Sequence, residues 1–323
     1  MGTDRGATVA TGDASPARQL LPANPSFAGH QTFAVRSGWL KKGLDALQNQ
    51  ALGGGSFFTR EDALVHLGVG KNMVQSIRYW LLTTRMAEEV TGTRGRELSP
   101  TPLGRSLLGT PEGGWDPFLE DDATLWLLHW CLAGPGSPSF TWVWTFNMFR
   151  EYEFSRESLV ESVLSGTVGR VPKMPARETV GRDVECLLHT YVGSDGVLGE
   201  NALECPLRYL DLIQPAFSKH YRLSVGPKPS LPARVFYYAM VEYWQWRHRT
   251  SQTVSVRELT FAEGSPGMVF KLDEDSVLEY LDGIADETDG AIRFEDTSLL
   301  REVIWDSRVN IEPSCFLEKH YHA

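Results

Sequence analysis

The stretch Thr59-Arg60-Glu61-Asp62-Ala63-Leu64-Val65-His66-Leu67-Gly68-Val69-Gly70-Lys71-Asn72-Met73-Val74-Gln75-Ser76-Ile77-Arg78-Tyr79-Trp80-Leu81 decides the fold, because it holds two helical patterns separated by a glycine break. Thr59 is a natural N-cap, and Glu61 and Asp62 fall in the first turn, where carboxylates complement the positive end of a helix dipole. Gly68-Val69-Gly70 breaks this helix, and a second pattern runs from Lys71 to about Met86. At about 100° per residue, Met73, Val74, Ile77, Trp80, Leu81 and Thr84 share one side. Lys71, Gln75 and Arg78 lie opposite, with Asn72 and Tyr79 beside them. A helix divided in this way packs by one face and offers amide and cationic groups on the other.

Working outward, Thr91-Gly92-Thr93-Arg94-Gly95-Arg96 lies within Val90 to Leu98 as a glycine-bearing hairpin with arginines at its tip, and Ser99 to Arg105 opens a closing helix. Two helices followed by a basic hairpin are the pattern of a winged helix, whose second helix enters the major groove and whose hairpin grips the backbone. On that reading Lys71 and Arg78 contact phosphate or guanine, Asn72 and Gln75 pair with adenine edges, and Arg94 and Arg96 hold phosphate. The alternative is a helix merely solubilised by its cations.

The pattern recurs twice, less clearly. Ser155 caps a helix through Leu159, Val160, Val163 and Leu164. A helix from about Pro175 to Tyr191 then places Val180, Val184, Leu187, Leu188 and Tyr191 on one face with Arg182, Glu185 and His189 opposite, and a second wing is expected over Leu212 to Val225. From about Val254 a third unit has Val277, Leu278 and Leu281 on a helix and strands near Ile292 and Ile304. Between the first two units, Trp115, Trp126, Trp130, Trp142 and Trp144 mark a core or domain interface, and Phe236 to Trp246 reads as a helix in the same interior. The expected fold is mainly α with small β-hairpins (α+β), built from tandem winged-helix or helix-turn-helix-like units. Its expected organisation is a disordered leader over 1–26, a winged-helix DNA-binding domain over 27–110 and an aromatic-rich helical connector over 111–150. A second winged-helix-like domain follows over 151–250, and an acidic one over 251–323.

The chain has 323 residues, 31 Lys and Arg against 41 Asp and Glu, and a net charge of −10. That total disfavours a protein that coats nucleic acid indiscriminately. The charge is unevenly spread, however: residues 27–110 carry ten basic and six acidic residues, whereas 258–323 carry five and sixteen. The cationic unit is thus free to engage DNA while the acidic end is available to a protein partner. Cys131, Cys186, Cys205 and Cys315 form no C-x-x-C pair, which reads as neutral thiols in a cytoplasmic protein. Nothing resembles an export signal or a membrane span.

Catalytic signals are sparser. Gly68-Val69-Gly70-Lys71-Asn72 lacks the G-x-x-x-x-G-K-[ST] spacing, so no nucleotide or organic cofactor is expected. His320-Tyr321-His322 reads as a frayed terminus. Glu120, Asp121 and Asp122 are adjacent carboxylates that could hold Mg2+ or Mn2+ for phosphodiester hydrolysis, with Glu120 and Asp121 as the metal ligands. They also suit the first turn of the helix that follows. His30, near Arg36, Lys41 and Lys42, could polarise a phosphate or could be a structural histidine. Arg182 and Lys228 complete the expected DNA contacts.

Phe27 to Gly43, Leu67 to Val74, Ile77 to Leu81, Leu98 to Gly104, Asp116 to Asp121 leading into Thr124 to Trp130, and Gly226 to Pro232 resemble the SspB family. That family was long catalogued as a bacterial domain of unknown function, and the resemblance covers most of residues 27 to 250. It implies a component of the Ssp DNA phosphorothioation and antiphage defence system, typically encoded beside a cysteine desulfurase, an ATPase and a phosphosulfate-reductase-like protein. It further implies double-stranded DNA as ligand and a nicking role, opening one strand so that sulfur replaces a non-bridging phosphate oxygen. No catalytic residue set is carried over. The competing expectations are a non-catalytic adaptor that recruits sulfur-transfer partners and an ordinary winged-helix transcription regulator.

Overall fold

A computed structural model describes residues 19–22, 24–49, 52–109, 113–192, 205–248, 251–297 and 301–323. The expected leader falls mostly outside them, but within its described part Leu20 is already buried.

Helix α1 (Ser37–Gln48) is followed by a 3-10 turn over Gly54–Thr59, then by α2 (Ala63–Leu67) and α3 (Lys71–Thr83). Thr59 does not cap α2. It ends the 3-10 turn and its hydroxyl donates to the Ser56 carbonyl at 2.7 Å, which leaves Asp62 at the cap position with its carboxylate engaged by Arg60 at 2.8 Å. Gly68, at φ 64°, ends α2 in the left-handed conformation that a side chain would disfavour. Helix α3 packs Ile77 and Leu81 onto α1 so closely that a Cβ on Gly43 would stand 2.7 Å from each. Tyr79, expected beside the polar face, is buried, because a second layer covers that flank: Gly29 and the His30 ring press on it and its hydroxyl meets Ser139 Oγ at 3.1 Å.

Strands β1 (Ala87–Glu89) and β2 (Leu98–Pro100) pair antiparallel with Ala87 opposite Pro100, and α4 (Pro102–Leu108) follows, capped by Thr101. Helices α5 (Asp122–Ala133) and α6 (Phe140–Asn147) form the centre. Every α5 residue from Ala123 to Ala133 is buried, as the aromatic-rich stretch predicted. Next come β3 (Glu153–Ser155), α7 (Arg156–Thr167), α8 (Arg177–Tyr191), β4 (Ile213–Pro215) and β5 (His220–Leu223). They are followed by α9 (Ala233–Arg247), β6 (Thr253–Ser255), α10 (Val256–Phe261), α11 (Pro266–Phe270), α12 (Glu274–Leu281), α13 (Ile284–Glu287), β7 (Ile292–Asp296), β8 (Arg301–Trp305) and α14 (Ser314–Tyr321). The architecture is mixed α+β with small antiparallel sheets.

The two three-stranded sheets have the same order, β3-β5-β4 and β6-β8-β7. In each, a strand before the helices joins the second strand of the hairpin that follows them. In the first segment that place is taken by the 3-10 turn, where Gly55 lies so near the Leu98 carbonyl that a Cβ would approach to 2.7 Å. Among the described residues no helix is long and apolar enough to cross a membrane.

The carboxy-terminal end departs from expectation. His320, Tyr321 and His322 are docked rather than frayed, because Tyr321 stacks on Trp115 at 5.0 Å and its hydroxyl lies 2.7 Å from Thr124 Oγ1. Ring burial and a satisfied hydroxyl offset the ordering entropy of the last turn.

Candidate nucleic-acid interface

On α3, Lys71, Asn72 and Gln75 are exposed together near the amino-terminal end, where unpaired backbone N–H groups and the helix dipole favour an anion. Arg94 and Arg96 are exposed on the β1–β2 hairpin. Its tip turns through positive φ at Gly92, Arg94 and Gly95. Arg78 has a different task from the one the helical pattern gave it. It donates 2.8 Å bonds to Glu89 Oε1 and to the Gly95 carbonyl, so it ties the hairpin to α3. The carbonyl and carboxylate thus hold the hairpin against α3.

The other cations are dispersed. Lys42 is exposed on α1, whereas Lys41 pairs with Asp45 one turn on and Arg36 lies 5.0 Å from the Trp39 ring centroid. Arg182 is exposed on α8. Lys228 is buried and donates to the Ser224 carbonyl at 2.8 Å, with its pKa lowered by burial, so the structure does not present it to a phosphate.

His30 is enclosed. Its Nδ1 accepts the Thr32 backbone N–H at 3.0 Å, which leaves Nε2–H to donate to Asp183 Oδ1 at 2.9 Å. Asp183 also accepts from the Ala28 backbone N–H and from Thr141 Oγ1 at 2.9 Å. This is a fully partnered buried carboxylate joining the Phe27 to His30 turn to α8 and α6. Asp183 has a sequence signal, since it shares helical spacing with Val180, Val184 and Leu187, and a carboxylate on an apolar face implies a buried donor.

The acidic group lies elsewhere and takes the helix-start role. Asp116 accepts from the backbone N–H of Glu120 at 2.9 Å and of Asp121 at 3.0 Å, and Asp121 caps α5 through Ala123 N–H at 2.8 Å. The other oxygen of Asp121 lies 3.1 Å from His320 Nε2. Glu120 and Asp122 are exposed. Among the described residues no group of three or more His, Cys, Asp or Glu side chains could hold a metal.

Burial holds the His129 ring and the enclosed thiols neutral. His129 is pushed down to about 3 by burial, donates from Nε2 to the Val269 carbonyl at 2.8 Å and accepts the Tyr191 hydroxyl at Nδ1. Burial raises the thiols of Cys131 and Cys205 to about 12, and all four cysteines are free.

The sequence family described as "Protein of unknown function (DUF4007)" matches residues 27–321. The chain is similar to the magnesium ion-bound SspB crystal structure, with 30% identity and a TM-score of 0.81 over 92% of this chain and 88% of that one. It is similar to a second SspB crystal structure with 30% identity and a TM-score of 0.80 over the same shares. No curated protein matches it. The mixed α+β architecture and the matched span define a protein of the DUF4007 class. The chain belongs to the SspB family within it.

Proposed function

We propose that this protein is the DNA-engaging component of an Ssp-type phosphorothioation system and that it opens one strand of duplex DNA for sulfur insertion in antiphage defence. One observation carries the reading: Lys71, Asn72 and Gln75 are exposed on α3, and Arg94 and Arg96 are exposed on the hairpin that Arg78 ties to that helix. In this reading α2, α3 and the β1–β2 hairpin act as a winged helix, with α3 in the major groove and the hairpin on the backbone. The repeated strand order β3-β5-β4 and β6-β8-β7 supports two further winged-helix-like units. Membership of the SspB family supports the place in the Ssp system, with an ATPase and a phosphosulfate-reductase-like protein as partners in the cytoplasm.

The nicking step is tested with supercoiled plasmid and highly purified protein in Mg2+ or Mn2+, then with chelator; one of the two similar SspB structures is magnesium ion-bound. Open circles that vanish in the Lys71→Ala, Arg94→Ala double variant support intrinsic nicking. A second reading, a non-catalytic adaptor that marks the site for sulfur-transfer partners, is favoured by the engagement of Asp116 and Asp121 in backbone capping. Duplex binding with no open circles, alone or with the partner proteins, selects the adaptor.

A further inference from the structure

A cavity of about 560 Å3 opens where the ends of α6, α9 and α10 meet the loop between α7 and α8. Its chemistry is set by Trp144, Trp246, Arg150, Arg170, Arg247 and Glu263. Both indoles are held in place. The Trp144 ring nitrogen donates to Ser162 Oγ at 2.9 Å and Phe140 stacks on the ring at 6.0 Å with planes 8° apart. A Cβ on Gly166 would stand 2.5 Å from Trp144 Cζ3, so the absence of a side chain there makes room for the ring. Gly264, at φ 83°, does the same for Trp246, whose Cζ3 would lie 3.3 Å from an added Cβ.

The guanidinium groups of Arg170 and Arg247 lie 5.9 Å and 6.0 Å from the ring centroids of Trp144 and Trp246. Among the described residues none of Arg150, Arg170 and Arg247 forms an ion pair. Elsewhere Arg78, Arg85, Arg156, Arg177 and Arg234 are each matched by a glutamate. Three unmatched cations around two fixed aromatic rings call for a ligand that is both flat and anionic. A nucleotide satisfies both requirements, with its base against an indole and its phosphate against the arginines, and the volume suits one such unit.

We infer that this cavity binds one nucleotide of an unpaired DNA strand. The inference stands on its own geometry and not on the α3 surface. A free mononucleotide has the same chemistry, and the experiment separates the two sources.

Binding of a fluorescein-labelled oligothymidylate of roughly ten nucleotides to the full-length chain is measured by anisotropy across salt concentrations, with adenosine monophosphate as competitor. Arg170 and Arg247 are exposed, so their replacement by alanine is expected to leave the fold intact, which a thermal melt checks. The Arg170→Ala, Arg247→Ala double variant is expected to weaken oligothymidylate binding about tenfold or more and to lower the salt slope by about 0.7, one phosphate contact on a single strand. Glu263→Gln, which removes the cavity's only carboxylate among the named residues, is expected to tighten it severalfold. Trp246→Phe keeps a stacking ring and is expected to bind better than Trp246→Ala. Lys71→Ala lies on the other surface and leaves oligothymidylate binding unchanged even where it weakens duplex binding. Oligothymidylate binding that is wild-type in the double variant while direct binding of adenosine monophosphate is lost assigns the cavity to a free nucleotide and overturns the strand. Wild-type affinity and salt slope in the double variant, with no mononucleotide competition, overturn the inference.

Discussion

Lys271 is the residue whose ionisation is most displaced toward neutrality among the buried cations. Burial first, then Arg150 and Lys228, push its pKa down to about 7, and its Nζ donates to the Phe146 carbonyl at 2.7 Å. An unfolded lysine titrates near 10.4. Between those values the unfolded chain holds a proton that the folded chain does not, so stability falls as the pH is lowered from about 10.4 to about 7 and then levels. Lys271→Met is expected to flatten this dependence in urea denaturation series, and an unchanged slope would contradict the burial argument. Asp183 is a buried acceptor for three donors, His30, the Ala28 backbone N–H and Thr141. Asp183→Ala leaves His30 and the Ala28 N–H without a partner in the interior and is expected to lower unfolding free energy by about 2–5 kcal/mol. His30→Ala is a poor test of catalysis for the same reason, since a fall in activity would follow from a weakened fold. A wild-type denaturation midpoint for Asp183→Ala would count against the buried network.

At the scale of elements, the boundary between what the sequence reveals and what it hides follows the range of the interactions. Helices α3 and α8 and the hairpins around residues 213–223 and 292–305 are legible because period and turn residues act locally. The inner position of Tyr79 is not legible, since it depends on Gly29, His30 and Ser139 from other segments. The docking of α14 escapes for the same reason, with Trp115 and Tyr321 meeting from segments far apart in sequence. The proposed binding surface is only partly legible: Lys71, Asn72, Gln75, Arg94 and Arg96 are proposed from the pattern, but the anchoring role of Arg78 requires knowing where Glu89 and Gly95 lie. Gly104 supplies the sharpest element-level test. A Cβ there would lie 2.0 Å from the Met86 carbonyl oxygen, so Gly104→Ala forces α4 away from β1 and is expected to cost a few kcal/mol. Equal stability in a thermal melt would show that α4 moves without penalty.

Across the whole molecule, polar links rather than sequence neighbours join the basic first segment to the centre. Arg85 reaches Glu242 of α9 at 2.6 Å and also donates to the Pro135 carbonyl, while Trp130 of α5 donates to the same glutamate. Glu242→Ala strands a largely enclosed arginine and is expected to destabilise the chain by about 3–5 kcal/mol. Conversely, most of the acidity lies beyond residue 258, with sixteen carboxylates against five cations, and is legible by counting alone. That separation of charge is compatible with the proposed DNA surface, because long-range repulsion is screened within about 8 Å at physiological salt while the proposed contacts at α3 are short-range. The most direct measurement of the central claim is the salt dependence of duplex affinity for the wild-type chain and for Lys71→Ala, Arg94→Ala. If α3 and its hairpin are the DNA surface, the double variant binds at least tenfold more weakly and its log–log salt slope falls by about 1.8, two phosphate contacts at about 0.9 each. Identical affinity and slope in the two proteins would contradict it.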